Sequence, residues 1–150
     1  KQQLPISIIM FDLDKFKEIN DQFGHAVGDW VLIEVANKIK ATSRQDDIFA
    51  RFGGEEFVIL LPNCNINSAE KYAERCRHII ANISTKRTGI NFKISASFGI
   101  SSALTSGYDP QSLLIDADKA MYWSKNNGRN QLTTFEQSRK SLRYLTKKNI

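Results

Sequence analysis

Two strand-like apolar runs, at residues 48–52 and 57–61, are separated by only four residues. These four are Gly53-Gly54-Glu55-Glu56, and glycine suits tight turns that need a positive φ. The pattern therefore predicts an antiparallel hairpin, whose second arm ends at Pro62. A hairpin excludes an all-parallel sheet, so the sheet that this chain builds is expected to be mixed or antiparallel.

The rest of the chain alternates strand and helix patterns. Apolar runs predict further strands at residues 6–11, 92–100 and 131–135. A short helix is expected after Asp14 as its N-cap, and a second helix after a break marked by Gly24 and Gly28. Longer helices are predicted at residues 69–83 and from 110 to about 125. The interleaving predicts an α+β fold whose mainly antiparallel central sheet is flanked by helices.

The charge of the chain is unevenly distributed. At 150 residues the chain has the length of one domain, and its net charge is +5. Residues 136–150 hold five lysines and arginines against Glu136 as the one acid, so the remainder is nearly neutral. A nearly neutral domain does not have the basic face that nucleic-acid binding requires, and no nucleic-acid partner is expected.

The composition also limits where the protein works. No apolar run approaches the roughly 20 residues of a membrane-spanning helix, so no membrane contact by this domain is expected. Cys64 and Cys76 are too few for a disulfide framework or a complete zinc site. A reducing cytoplasm fits this cysteine content. A cytoplasmic part of a larger, membrane-anchored protein has the same features.

Acidic residues lie at the ends of two predicted strands. Asp12 ends the first strand, and Glu55 and Glu56 begin the second arm of the hairpin. If these strands are neighbours, the carboxylates converge at one edge of the sheet, where they repel one another unless a cation intervenes. Such oxygen ligands suit Mg²⁺, which binds one or two carboxylates together with substrate phosphates. For each acid taken alone, the alternative is a solvated residue at a strand end.

Other residues near the same edge each have two interpretations. Gly53 and Gly54 either shape a turn or let a ligand approach the backbone closely. Lys125 and Arg129, four residues apart, either stabilise a helix C-terminus or clamp phosphates. The pair Asn20 and Asp29 either occupies ordinary turns or binds the hydrogen-bonding edge of guanine. Phosphate can also bind the free N–H groups at the start of the short helix after Asp14.

The motifs occur in one order along the chain. They are D-L-D-K-F-K-E-I-N-D at residues 12–21, G-H at 24–25, G-D at 28–29, R-F-G-G-E-E-F at 51–57, S-F-G-I at 97–100, A-M-Y at 120–122, Lys125, and G-R-N at 128–130. Together they resemble the GGDEF domain of diguanylate cyclases over about residues 6–135. The resemblance implies a GGDEF domain at residues 1–135 with a ferredoxin-like, polymerase-palm-type sheet.

The resemblance also implies an activity and its residues. The family condenses two GTP molecules into cyclic di-GMP and releases two pyrophosphates, with two domains facing each other as a homodimer. Asp12, Glu55 and Glu56 would be catalytic and, with the Leu13 carbonyl, would hold Mg²⁺ or Mn²⁺. Residues implied to bind GTP are Asn20 and Asp29 for guanine, and Phe16, Lys17, Gly53, Gly54, Lys125 and Arg129 for the rest of the nucleotide.

A second site is implied upstream of the hairpin. Arg44 and Asp47 form an R-x-x-D pattern, with five residues between Asp47 and Gly53. In the family this pattern marks the site where cyclic di-GMP binds and inhibits, often with a further arginine, which here corresponds to Arg75. The alternative is a solvated ion pair, since R-x-x-D is short and common.

The chain departs from the family pattern at both ends. The lead-in D-x-L-T-x-L-x-N-R motif is absent and the first residue is Lys1, so we expect a piece of a longer chain with other domains. Residues 136–150 are expected to be a basic extension or linker. Two alternative functions remain: a catalytically silent module that binds GTP or cyclic di-GMP and regulates an attached domain, or a relative that makes a mixed cyclic dinucleotide. The retained acids and Asp29 weigh against them.

Overall fold

The computed structural model describes residues 3–148. Within them, five strands form one sheet: β1 (Ile6–Leu13), β2 (Ile48–Gly53), β3 (Glu56–Pro62), β4 (Ala96–Ser102) and β5 (Leu132–Thr134). The helices of this part of the chain are α1 (Phe16–Phe23), α2 (His25–Lys40), α3 (Ile66–Ala81), α4 (Ala103–Ser106), α5 (Pro110–Asn126) and α6 (Phe135–Lys148). Residues 149 and 150 of the expected C-terminal extension lie outside the described part.

The sheet has the strand order β2-β3-β1-β4-β5. β1 pairs antiparallel with both β3 and β4, β2 pairs antiparallel with β3, and β5 pairs parallel with β4. The predicted hairpin, the α+β fold class and the mainly antiparallel sheet are therefore confirmed. The central strand β1 is flanked on both sides, which places its C-terminal end between the hairpin and β4.

Alternate residues of β1 point into two separate cores. Phe11 belongs to a core cluster with buried residues of α1, α2 and α3 on one face, whereas Met10 belongs to a second cluster with buried residues of α5 on the other. The Phe11 ring stacks between Phe57 of β3 and Phe98 of β4, with centroids 4.9 Å away on each side. This aromatic row joins the three central strands.

Three sequence predictions about elements were wrong. Gly28 does not break the chain, because Gly24 alone, with φ of 97°, ends α1 and α2 runs through residue 28. The strand predicted over 92–100 begins only at Ala96, since the Phe92 N–H bonds to the Thr85 hydroxyl instead of a neighbouring strand. The last strand is confirmed only at 132–134, and Phe135 already begins α6.

Helix α6 covers most of the predicted C-terminal extension. Its backbone is helical from Phe135 to Lys148, and it contacts α5 and the β5 edge of the sheet. No helix within residues 3–148 combines the length and apolarity needed to cross a bilayer.

Helix α5 lies directly on the backbone of β4. A Cβ atom added to Gly99 would stand 2.1 Å from the Ala117 carbonyl oxygen and 2.2 Å from the Met121 nitrogen. Both contacts are with backbone atoms, which cannot move without shifting the helix. The missing side chain at Gly99 thus sets the distance between helix and sheet.

We expect Gly99→Ala to destabilise the fold by about 3 kcal/mol, because overpacking here must push α5 away from β4. Thermal unfolding should shift down by roughly 10 °C. Gly53→Ala is the matched control, since an added Cβ at Gly53 meets nothing within 4 Å. Equal stability of the two variants would contradict the close packing of α5.

Candidate active site

The acidic residues predicted to converge lie at one end of the β1–β3 pair. Asp12 is directly opposite Glu56 in the antiparallel register. The Leu13 N–H donates a hydrogen bond of 3.2 Å to the Glu55 carbonyl, which holds the hairpin turn against the end of β1. Arg51 closes the same turn by donating from Nε to the Gly54 carbonyl at 2.6 Å. The motif gave no indication of this contact of Arg51.

The Asp12 carboxylate is buried, with 6% of the residue exposed. Its Oδ2 accepts a hydrogen bond from the Lys125 ammonium, while Oδ1 has no partner among the described residues. Burial raises the pKa of Asp12, and the hydrogen bond and charge of Lys125 oppose that rise. A buried carboxylate oxygen without a partner is costly, so this atom is suited to a cation supplied from outside the chain.

The pKa of Glu56 is raised as well. Burial raises its pKa first, and the negative charges of Asp118 and Asp12 raise it further, whereas Lys125 lowers it. Across residues 3–148, no three His, Cys, Asp or Glu side chains are grouped closely enough to form a metal site by themselves. Mg²⁺ does not require such a set, because it binds one or two carboxylates and completes its shell with water or phosphate. Asp12 and Glu56, which lie opposite each other, fit that incomplete set, and Glu55 is adjacent to Glu56 in the sequence.

The two predicted guanine-binding residues come together on α1 and α2. An added Cβ on Gly28 would lie 1.8 Å from Oδ1 of Asn20, so the Asn20 side chain rests on the bare backbone of Gly28. Asp29 follows directly on α2 and is exposed. The Asn20 amide thus lies against the residue that precedes Asp29. Gly28, predicted from the sequence to break the chain, instead lies within α2 and leaves the space that the Asn20 side chain occupies.

The two predicted phosphate-binding cations lie on different parts of the backbone. Lys125 is in the last turn of α5 and reaches Asp12, but Arg129 is not on the same helix. The helix ends at Asn126, and Gly128 with φ of 118° leads into a left-handed turn in which Arg129 has φ of 61°. The helix thus ends close to residue 125, as predicted from the sequence, and Arg129 lies beyond it in this turn.

Arg129 instead borders an open cavity of about 600 Å³ between α1 and the start of β4. The cavity is also lined by Lys15 and Glu18. Two further residues predicted to bind substrate are on α1: Lys17 is exposed, whereas the Phe16 ring is buried in the core and leaves only its backbone available.

Asp14 does not serve as the N-cap of α1, so that prediction from the sequence was wrong. That position belongs to Lys15, which has φ of 55° and makes no capping hydrogen bond with its side chain. The Asp14 carboxylate turns the other way and accepts hydrogen bonds from Ser95, Ser97 and the Asn130 N–H. The sequence contains no signal for these contacts, because the partners lie 81 to 116 residues away.

The second predicted site also comes together. Arg44, Asp47 and Arg75 line one cavity of about 230 Å³, with Tyr72 and Cys64 among its other walls. The Arg44 guanidinium contacts the Asp47 carboxylate at 3.3 Å. The Asp47 side chain is only 2% exposed, but that of Arg44 is 59% exposed and faces outward.

This cavity is far from the acidic edge. Arg44 also donates to the Pro62 carbonyl at 3.3 Å. Pro62 and Glu56 are the two ends of β3, and six strand residues span about 20 Å. The two candidate sites therefore lie at opposite ends of the same strand pair.

Comparison with known proteins identifies related chains. The family described as "Diguanylate cyclase, GGDEF domain" matches residues 1–131. Diguanylate cyclase A of Treponema denticola is 44% identical over 128 residues, which are 85% of this chain and 34% of that protein. The chain spans about a third or less of the length of the curated relatives it matches.

Solved structures share the fold. The active GGEEF domain of a diguanylate cyclase from Vibrio cholerae has a TM-score of 0.81 and 35% identity, covering 88% of this chain and 83% of that one. The GGDEF domain of DgcB from Caulobacter crescentus, solved in complex with c-di-GMP, has a TM-score of 0.82 and 31% identity, covering 88% and 78%. Both identities are high enough to support family membership as well as fold.

The raised pKa of Glu56 makes the stability of the fold depend on pH. Folding raises the pKa of Glu56, so the folded protein favours the protonated, neutral side chain. The stability that this protonation contributes is fully present below the unfolded pKa and is lost as the pH rises through the folded pKa. Glutamine stays neutral, so in metal-free buffer at about pH 7 Glu56→Gln should raise the unfolding midpoint by roughly 1–3 °C. Below about pH 3.5 the difference should disappear.

Thermal melts monitored by circular dichroism across this pH range provide the measurement. Glu70→Gln, the same change on α3, is the control and should show no such pH dependence. If Glu56→Gln were less stable than wild type at neutral pH, the charge of Glu56 would be stabilising and the electrostatic assignment wrong.

Proposed function

The chain belongs to the GGDEF family of diguanylate cyclases, and on that basis we propose that it condenses two GTP molecules into cyclic di-GMP with release of two pyrophosphates. The observation that carries this proposal is the acidic edge. There, Asp12 faces Glu56, one Asp12 oxygen is bonded to Lys125, and the other has no partner in the described chain. This combination of a buried acid, a half-buried acid and a lysine ammonium suits a nucleoside triphosphate with its metal ions.

The metal would be Mg²⁺ or Mn²⁺, held by the carboxylates of Asp12, Glu55 and Glu56 and by the Leu13 carbonyl. When bound, it would polarise the phosphate oxygens and increase the acidity of the attacking hydroxyl group. The unpartnered Oδ1 of Asp12 and the raised pKa of Glu56 support this assignment, because both describe negative groups that a cation would stabilise.

Guanine would be recognised by Asn20 and Asp29. The Asp29 carboxylate can accept hydrogen bonds from N1–H and N2–H of guanine, whereas adenine has an acceptor at N1 and no amino group at C2. ATP would therefore leave the carboxylate facing an acceptor, which favours GTP. The retained aspartate also argues against the mixed cyclic dinucleotide.

The triphosphate would lie between cationic and backbone groups. Lys125 and Arg129 would contact phosphate oxygens, with the backbone N–H groups of Phe16 and Lys17 and the ammonium of Lys17 on the other side. Gly53 and Gly54 carry no Cβ, and an added one would meet nothing within 4 Å at either, so the turn leaves open space for the nucleotide. These groups would stabilise the negative charge that develops as pyrophosphate leaves.

Cyclisation requires two copies of the domain. Each acidic edge would hold one GTP, and the 3′-hydroxyl of each nucleotide would attack the α-phosphate of the other. Two symmetric attacks form two P–O bonds and release two pyrophosphates, which is the geometry of a homodimer facing itself across the substrates. Residues 1–135 would be the cyclase module of a longer cytoplasmic protein, with α6 leading toward another domain.

Product inhibition would act at the second cavity. Arg44, Asp47 and Arg75 line it together, and the exposed guanidinium of Arg44 is available to a phosphate or a guanine edge. Cyclic di-GMP is the proposed ligand. The catalytically silent alternative is not favoured, because Asp12, Glu55, Glu56 and Lys125 are all present.

Incubation of the protein with GTP and Mg²⁺, followed by identification of the product by mass spectrometry, tests the function directly. We expect cyclic di-GMP from wild type and a loss of at least about 100-fold in Glu55→Gln, because one anionic metal ligand disappears without a change in volume. Glu70→Gln is the control and should retain activity. Activity of Glu55→Gln within a few-fold of wild type would refute the metal assignment.

The inhibitory site is tested separately with Arg44→Ala. Since Arg44 is at the opposite end of β3 from Glu56, its removal should leave the initial rate similar and weaken inhibition by cyclic di-GMP about tenfold or more. Progress curves with and without added product measure both quantities. Arg87→Ala, a change of the same type outside this cavity, is the control. Undiminished inhibition that is purely competitive with GTP would rule out this site.

A further inference from the structure

Asp14 uses both of its carboxylate oxygens inside the protein. Oδ1 accepts a hydrogen bond of 2.6 Å from the Ser97 hydroxyl. Oδ2 accepts one of 2.6 Å from the Ser95 hydroxyl and one of 3.0 Å from the backbone N–H of Asn130. Asp14 is buried, with 8% exposed. It thus connects the end of β1, the start of β4 and the turn after α5.

The turn that Asp14 holds has an unusual backbone. Gly128, Arg129 and Asn130 follow one another with φ values of 118°, 61° and 46°. Glycine tolerates such a conformation and asparagine accepts it more readily than most residues, but an arginine rarely adopts it. Consecutive left-handed residues cost free energy, and they persist only where surrounding contacts impose them.

Several hydrogen bonds hold this turn, including one of 3.0 Å from Arg77 Nη1 on α3 to Asn130 Oδ1. The Arg129 N–H donates to the Ser124 carbonyl at 3.0 Å, and the Gln131 side chain donates to the Asn127 carbonyl at 2.6 Å. The Asp14 contact with the Asn130 N–H is the one that links the turn to β1, the strand that carries Asp12. It therefore ties the backbone next to Arg129 to the strand that ends at the acidic edge.

We propose that Asp14 is a positioning residue: its carboxylate holds the 128–130 turn so that the Arg129 side chain meets the phosphates of the bound nucleotide. This inference rests on the proposed function, which supplies the nucleotide. Asp14 itself does not touch substrate. Because all its contacts are hydrogen-bond acceptances, the role depends on the geometry of its oxygen atoms rather than on negative charge.

The arrangement distinguishes Asp14 from Asp12, two residues earlier. Asp12 has an oxygen without a partner in the described chain, whereas both oxygens of Asp14 are engaged by protein donors. An asparagine at position 14 can reproduce the Asp14 contacts, with its carbonyl oxygen accepting from Ser95 and Asn130 and its amide group donating to the Ser97 hydroxyl. An alanine cannot. If Asp14 were a metal ligand, asparagine would not be tolerated, because it removes the negative charge that binds the cation.

The test uses wild type, Asp14→Asn, Asp14→Ala, Arg129→Ala and the double variant Asp14→Ala/Arg129→Ala. Binding of α,β-methylene-GTP, which cannot be turned over, is measured by calorimetry in Mg²⁺, with guanosine as the phosphate-free reference. Asp109→Asn, a change at the N-cap of α5, is the matched control. Circular dichroism verifies the fold of each variant.

We expect Asp14→Ala to weaken binding of the nucleotide analogue by about tenfold or more and to leave guanosine binding unchanged, while Asp14→Asn stays within about threefold of wild type. In the Asp14→Ala background, Arg129→Ala should have little further effect, because the two residues act as one unit. Undiminished binding by Asp14→Ala, a loss in Asp14→Asn as large as in Asp14→Ala, or additive effects of Asp14→Ala and Arg129→Ala would overturn the inference.

A measurement on wild type covers the case in which Asp14→Ala does not fold. The Asn130 amide should exchange with solvent at least about 100-fold more slowly than an unprotected amide, both in wild type and in Asp14→Asn. Exchange at the unprotected rate in either protein would overturn the inference. If wild type binds guanosine and the nucleotide analogue with no preference for phosphate, the proposed function fails, and with it the inference.

Discussion

A helix can approach a strand closely only where the strand has no side chain, and Gly99 of β4 meets this condition beneath Ala117 and Met121 of α5. From Ala117 the helix rises about 12 Å to Lys125. The Ser124 hydroxyl, just before it, donates to the Phe98 carbonyl at 2.8 Å and attaches the last turn of α5 to β4. The meeting of Lys125 with Asp12 is therefore a product of backbone packing, and a shift of α5 would separate them.

This packing makes an unfavourable arrangement of charge possible. Burial and the negative charges of neighbouring acids raise the pKa values of Asp12 and Glu56, so the folded protein holds these groups at a cost in stability. Lys125 offsets part of that cost through Asp12 Oδ2, and it does so with a flexible side chain that can turn toward a phosphate. The proposed binding of cations and a triphosphate together would benefit from such a replaceable partner, in keeping with the trade-off between stability and function.

The sequence predicted those parts of the molecule in which neighbours along the chain determine the structure. The hairpin around Gly53 and the acids at its end followed from local patterns, and the pairing of β1 with β3 then brought Asp12 to Glu56. Asp14 was misassigned because its partners are 81 or more residues away. Gly28 was wrongly predicted to break the chain, because the sequence does not distinguish a glycine in a turn from a helical glycine that leaves room for the Asn20 side chain.

The two candidate sites lie at opposite ends of β1 and β3, and this separation limits how one can affect the other. About 20 Å of paired strand lies between Pro62 and Glu56, and Phe11 stacked on Phe57 fills the core beneath the acidic end. A ligand at Arg44 cannot overlap a nucleotide at Asp12, and a close-packed core resists graded deformation between them. If a ligand at the second cavity inhibits as proposed, it would do so by fixing two copies of the domain in an arrangement that keeps their acidic edges apart.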